Sequence, residues 1–241
     1  MRRFFILIVI LVLLAVAADR AAWWFAERSI AQEIQNTQNL SARPDVTVGG
    51  FPFLTQALRG RYKEIDADLR DPDVEGGLKI DTLKITLRGV RVATGDLINR
   101  RVDEVPVDSA SAVATISFAA LNAAAKENLP DTKSTVVFSQ GTGNALAVKG
   151  SYRSSVVNAQ LNLQARLVAK DGDLVVELAP GTLDEVPSLV RPQVQSLVAR
   201  ASRLPALPLG FQAKDVSVNS TGVTVRATAS ALNLRASDLN P

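Results

Sequence analysis

The sequence predicts an α+β protein, a curved antiparallel sheet with amphipathic helices against it, forming one domain behind an N-terminal export segment. Three observations carry this. Stretches of strictly alternating polarity recur along the chain and are joined by short turns rich in Gly, Asn and Asp. A few other stretches carry apolar residues at intervals of three and four. The opening residues have the charge and hydropathy order of a secretory signal.

Met1-Arg2-Arg3 places two positive charges ahead of 15 uninterrupted apolar residues, Phe4 to Ala18, and Asp19-Arg20 restores charge. The run is shorter than the roughly 20 apolar residues of a bilayer-spanning helix. Ala21 to Phe25 then resume the hydrophobicity. Ala15-Val16-Ala17 fits a signal cleavage site, and Trp23-Trp24 fits an aromatic anchor at headgroup level. Residues 1–20 are thus a signal peptide or a membrane anchor, with cleavage favoured. In both cases the domain from residue 21 to 241 lies outside the cytoplasm, in the periplasmic space of the cell envelope.

From Ala21 to Leu40 the positions Trp23, Ala26, Ile30, Ile34 and Thr37 describe one helical face, which Pro44 ends. Val46 and Val48 open extended structure. Ile65, Ala67 and Leu69 alternate with Glu64, Asp66, Asp68 and Arg70, and Val157 to Leu167 alternate for the whole segment, each marking a strand with one buried face. Further strands are predicted over Leu78–Leu87, Val107–Ile116, Thr135–Ser139, Ala145–Ser151, Leu174–Ala179, Gln212–Val218 and Val223–Ala231. Glu75-Gly76-Gly77, Gly141-Thr142-Gly143-Asn144, Lys170-Asp171-Gly172-Asp173 and Asn219-Ser220-Thr221-Gly222 are the turns, and such short connections build hairpins. A short helix is predicted over Ser117–Glu127, stopped by Pro130. Another runs over Pro187–Ser202, with Val186, Leu189, Val190, Val194, Leu197, Val198 and Ala201 as its apolar stripe and Pro192 starting or kinking it.

Composition excludes several chemistries. The chain has no His and no Cys, so Ser-His-Asp triads, thiol nucleophiles and the usual zinc or haem sites are ruled out. Stability must come from a buried core without disulfides. The net charge is +3, of which Arg2 and Arg3 supply two, and no stripe of cations with interleaved aromatics points to nucleic acid. Gly141-Thr142-Gly143 lacks the Lys and following helix of a phosphate loop and reads as a turn. Asn219-Ser220-Thr221 matches a glycosylation sequon but also falls in a turn. Asp66, Asp68, Asp71 and Asp73 miss the spacing of a calcium loop and read as a solvated strand face. Composition leaves a hydrolase using Ser with Lys or paired carboxylates open, but nothing in the spacing supports one; no metal, cofactor or catalytic residue is expected, and the protein reads as a non-enzyme.

The most specific local signature is Gly50-Phe51-Pro52-Phe53-Leu54-Thr55-Gln56 followed by Gly60-Arg61-Tyr62. Pro52 fixes its own φ and restrains Phe51, so both rings sit on stiff backbone. Such rings suit an acyl-chain groove or plug the end of a core. Arg59, Arg61 and Lys63 follow, as headgroup-facing cations or as solvated surface. With Leu204-Pro205-Ala206-Leu207-Pro208-Leu209-Gly210 and the terminal hairpin at Gly222-Val223, this signature resembles the LmeA-like phospholipid-binding family of actinobacterial cell-envelope proteins.

The resemblance covers almost everything after the signal. It implies a tubular lipid-binding fold, in which a highly curved sheet wraps a long helix and leaves an apolar groove. It also implies support for elongation of the mannan chain of envelope lipoglycans. On this reading Phe51, Phe53, Leu54, Leu189, Val190, Val194, Leu197, Val198, Leu204 and Leu207 line the groove, and Arg59, Arg61 and Lys63 form its headgroup rim. The expected partners are a phospholipid, anionic in preference, the membrane surface and an envelope glycosyltransferase. The competing reading is an interaction factor that stabilises such a glycosyltransferase and holds lipid incidentally.

Overall fold

A computed structural model describes residues 2–38, 40–72, 79–93, 95, 104–128, 135–153, 158–184, 186–188, 191–192, 194–196 and 207–235. Among the described residues ten strands form two open antiparallel sheets, in the orders β1-β2-β3-β4-β10-β9 and β5-β6-β7-β8, which is an α+β architecture. The strands are β1 (Asp45–Gly49), β2 (Arg61–Arg70), β3 (Thr82–Arg91), β4 (Glu104–Ser117), β5 (Thr135–Gln140), β6 (Leu146–Arg153), β7 (Asn158–Lys170), β8 (Asp173–Leu178), β9 (Gln212–Val218) and β10 (Gly222–Arg235). The α-helices described are α1 (Arg2–Thr37), α2 (Phe53–Arg59) and α3 (Phe118–Asn128), with a short 3-10 turn at Pro208–Gly210.

Contacts divide the chain into two compact units. One comprises residues 1–69, 84–111 and 230–241, and the other residues 70–83 and 112–229. The first contains α1, α2, β1, almost all of β2, and most of β3. In it α1 is a single helix of 36 residues, longer than the expected amphipathic segment because the export run continues into it without a break. Its predicted stripe of Trp23, Ala26, Ile30, Ile34 and Thr37 is half-buried, and Ala31 beside it is fully buried. β1 pairs with β2 so that Val46 faces Ala67 and Val48 faces Ile65.

The second unit holds the four-stranded sheet, α3 and β9. Its hairpins follow the expected turns. In Lys170–Asp173 the two central residues, Asp171 and Gly172, both have positive φ, the backbone that a two-residue hairpin turn demands. In the turn after β9 the Asn219 side-chain oxygen accepts hydrogen bonds from the Thr221 and Gly222 amides at 2.9 and 3.1 Å, an Asx turn. Leu146, Val216, Val218 and Val223 form one apolar cluster against which Phe118 and Leu121 of α3 pack. Leu163, Val186 and Val194 form another. Of the helix predicted over 187–202, residues 191–192 and 194–196 are helical. Leu189, Val190, Leu197, Val198, Ala201 and Leu204 lie outside the described residues, as do the Glu75-Gly76-Gly77 turn, Leu78 and Pro130.

Both units protect free strand edges with side chains, as exposed edges invite pairing with other chains. On β1, the Val48 amide donates to Glu27 Oε1 at 2.8 Å and its carbonyl accepts from Trp23 Nε1 at 2.8 Å, so α1 occupies that edge. On β5, Asn122 of α3 exchanges two hydrogen bonds with the Phe138 backbone, and on β9 Asn144 does the same with Val216 and Val218.

Candidate lipid-binding surface

The signature from Gly50 to Tyr62 folds into a turn, the helix α2 and the start of β2. Pro52 precedes the helix and Gly60 ends it in the left-handed conformation, its amide returning to the last turn, the usual Pro-before and Gly-after asymmetry. A Cβ on Gly60 would stand 2.7 Å from the Val92 carbonyl oxygen, so both φ and space require glycine. Gly50 (φ +95) is restricted likewise by Gln56. Gln56 is buried and fastens three elements: its Nε2 donates to the Gly49 carbonyl at 3.2 Å and its Oε1 accepts from the Lys63 amide at 2.9 Å.

The N-terminus of α2 has no capping side chain of its own. Asp19 of α1 supplies one: its Oδ1 accepts the Leu54 amide at 2.7 Å, and Arg20 Nη2 donates to its other oxygen at 2.6 Å. A carboxylate there satisfies donors that every helix start leaves open. Asp19→Ala is therefore expected to lower the melting temperature measured by calorimetry. Asp19→Asn, which keeps one acceptor oxygen, should lower it less.

The two signature phenylalanines part company. Phe53 is buried and packs on Tyr62 with ring centroids 6.2 Å apart, and burial pushes the Tyr62 phenol above its ordinary pKa. Phe51 is exposed, with the Arg20 guanidinium 5.1 Å from its ring centre. Leu54 is exposed on the outer face of α2. Leu58, one turn on, is 83% exposed, and the sequence reading had not singled it out. Arg59, Arg61 and Lys63 are all exposed, and none has a carboxylate within 4.0 Å among the described residues.

Beyond α2 the sheet presents two unlike faces. Lys84 pairs with Asp68 at 2.8 Å, Thr86 donates to Asp66 at 2.5 Å and Arg88 pairs with Glu64 at 2.7 Å, so this face of β2 and β3 is a polar ladder. Side chains alternate, which puts Arg61, Lys63, Ile65, Ala67 and Leu69 of β2 with Ile85 and Leu87 of β3 on the other face. There Val46, Val48 and Leu69 are buried, whereas Ile65, Ala67, Ile85 and Leu87 are only half-covered. Along β2 this face runs from two free cations to partly open apolar positions, the polarity order of a phospholipid. No periodicity could have shown that the face is incompletely covered.

In the second unit Val194 is interior, in contact with the Leu163 and Val186 cluster, and Leu207 is half-buried. The sequence matches the family of LmeA-like phospholipid-binding proteins from residue 17 to residue 228. The chain belongs to that family. No curated protein and no solved structure matches it. The LmeA-like match begins two residues before Asp19, so it takes in the half of α1 that docks on β1 and α2 and leaves out most of the apolar run.

Proposed function

We propose that the protein is a non-enzymatic phospholipid-binding protein of the cell envelope, with acyl chains lying over Ile65, Ala67, Ile85 and Leu87 and an anionic headgroup meeting Arg61 and Lys63. The observation that carries this is the half-covered apolar face of β2 and β3 with unpaired cations at one end, in a chain of a phospholipid-binding family. Acyl burial contributes roughly 0.8 kcal/mol per methylene removed from water, less the cost of ordering. Phe51, Leu54 and Arg59 border the cationic end. By the same family kinship the lipid serves elongation of the mannan chain of envelope lipoglycans, or envelope maintenance, in the periplasmic space.

Mass spectrometry of lipids extracted from the purified protein tests this. Stoichiometric phospholipid, enriched in anionic species, is expected. A folded preparation that carries no lipid and binds none would reject the groove and favour a factor that stabilises an envelope glycosyltransferase. The intact mass of the same preparation reports whether the first 17 residues have been removed or remain as an anchor.

A further inference from the structure

In residues 50–62 every buried side chain has a task in the fold: Phe53 and Tyr62 pack together and Gln56 ties α2 to both strands. Phe51, Leu54 and Leu58 instead stay exposed: Leu54 and Leu58, one turn apart, share the outward face of α2, and Phe51 stands just ahead of that helix with the Arg20 guanidinium against its ring. We propose that this surface, Phe51 with the outward face of α2, docks on the lipid bilayer at the level where the apolar half of α1 ends, the neighbouring cations facing anionic headgroups.

The position of α1 argues for the bilayer as the occupant. Its residues Phe4 to Leu14 and Val16 are all exposed apolar side chains. Phe4 to Ala18 would span roughly 22 Å at 1.5 Å per residue, about 8 Å short of a hydrocarbon core of roughly 30 Å. About five further residues of helix make up that difference, which brings the boundary to Trp23 and Trp24. Phe51 is already held at this level, because Arg20 lies 5.0 Å from the Trp23 ring centre and 5.1 Å from that of Phe51. Leu54 is held there too, through its amide on Asp19. A short apolar run is otherwise accommodated by thinning the bilayer. Here the domain itself supplies the missing apolar surface.

The charges agree with this depth. Asp19 is only 3% exposed and is paired with Arg20, so no bare carboxylate enters the interface. Trp24 and Phe25 are exposed, with Arg28 lying 3.9 Å from the Trp24 ring centre, and the amphipathic ring of an exposed Trp settles at headgroup level. Arg59, Arg61 and Lys63 add positive charge beside the patch, complementary to anionic lipid.

The absence of cysteine from the chain makes a direct test simple. Leu58→Cys, Phe51→Cys and, as an exposed control in the second unit, Gln195→Cys are made in the full chain, labelled with a polarity-sensitive fluorophore and reconstituted in phosphatidylcholine–phosphatidylglycerol vesicles. Labels at 51 and 58 should emit at shorter wavelength than the label at 195 and lose intensity to lipids brominated near the headgroup. Circular dichroism selects the variants that fold, and either labelled position alone suffices. Labels at 51 and 58 as water-exposed as at 195 would overturn the docking. So would labels shielded from aqueous iodide but not quenched by bromolipid, which would mean a second copy of the chain covers the patch. The measurement does not require that lipid be carried on β2 and β3, so its failure and that of the groove are separately visible.

Discussion

Val194→Asp should destabilise the second unit severely. Val194 is 4% exposed and touches the buried Leu163 and Val186, with Val148, Leu161, Leu178 and Leu183 packed around them. An aspartate there finds no partner in the cluster, and burying an unpaired carboxylate costs about 3 kcal/mol or more. That is a large part of the 5–15 kcal/mol that typically separates folded from unfolded states. At about 2–4 °C per kcal/mol for a protein of this size, the melting temperature should fall by roughly 10 °C. The adjacent Gln195 is exposed, and Gln195→Glu should change stability by no more than about 0.5 kcal/mol. Equal melting temperatures for the two variants would put the apolar stripe on the wrong face.

Replacing Ile65 and Leu87 together by Ser should strip the protein of lipid while leaving it folded. Both side chains are only half-covered, so their loss is felt less by the fold than by whatever covers them. Each contributes on the order of 1 kcal/mol to a bound chain at this degree of burial, and the pair should weaken binding roughly tenfold or more. The cations act differently. Arg61→Gln with Lys63→Gln should leave affinity for neutral phospholipid nearly unchanged and remove both the preference for anionic lipid and its sensitivity to salt, since exposed charges are screened at physiological ionic strength. Binding of short-chain lipids across chain length and salt reads both effects. A folded Ile65→Ser, Leu87→Ser variant with undiminished lipid content would exclude this face as the groove.

What could be read from the chain followed the clarity of its periodicities. The Gln212–Val218 strand was placed to the residue because Gly210 and Asn219 bound it, and strict alternation located the strand that begins at Asn158, although it runs on to Lys170. The helix at 53–59 was missed although its markers, Pro52 before and Gly60 after, stand in the sequence. Seven residues are too few to display a helical period. The division of labour between Phe51 and Phe53 was not legible, since it depends on Asp19 and Arg20 reaching from α1 to α2, a contact between segments 30 or more residues apart. The partly covered face of β2 and β3 was likewise hidden, because alternation reports which side is apolar but not how completely it is covered.

The hydrogen bonds that Trp23 and Glu27 make to Val48 set a limit on maturation of the chain. A signal peptidase acting after Ala17 would remove the hydrophobic run and still leave the β1 edge occupied and α2 capped by Asp19. Trimming by a second protease past residue 27 would strip the edge and offer β1 as a template to the next molecule. The two halves of one continuous helix therefore answer to different constraints: the first is exposed along its apolar run and lends the sheet no hydrogen bond among the described residues, whereas the second covers a strand edge that would otherwise be open to pairing with another chain.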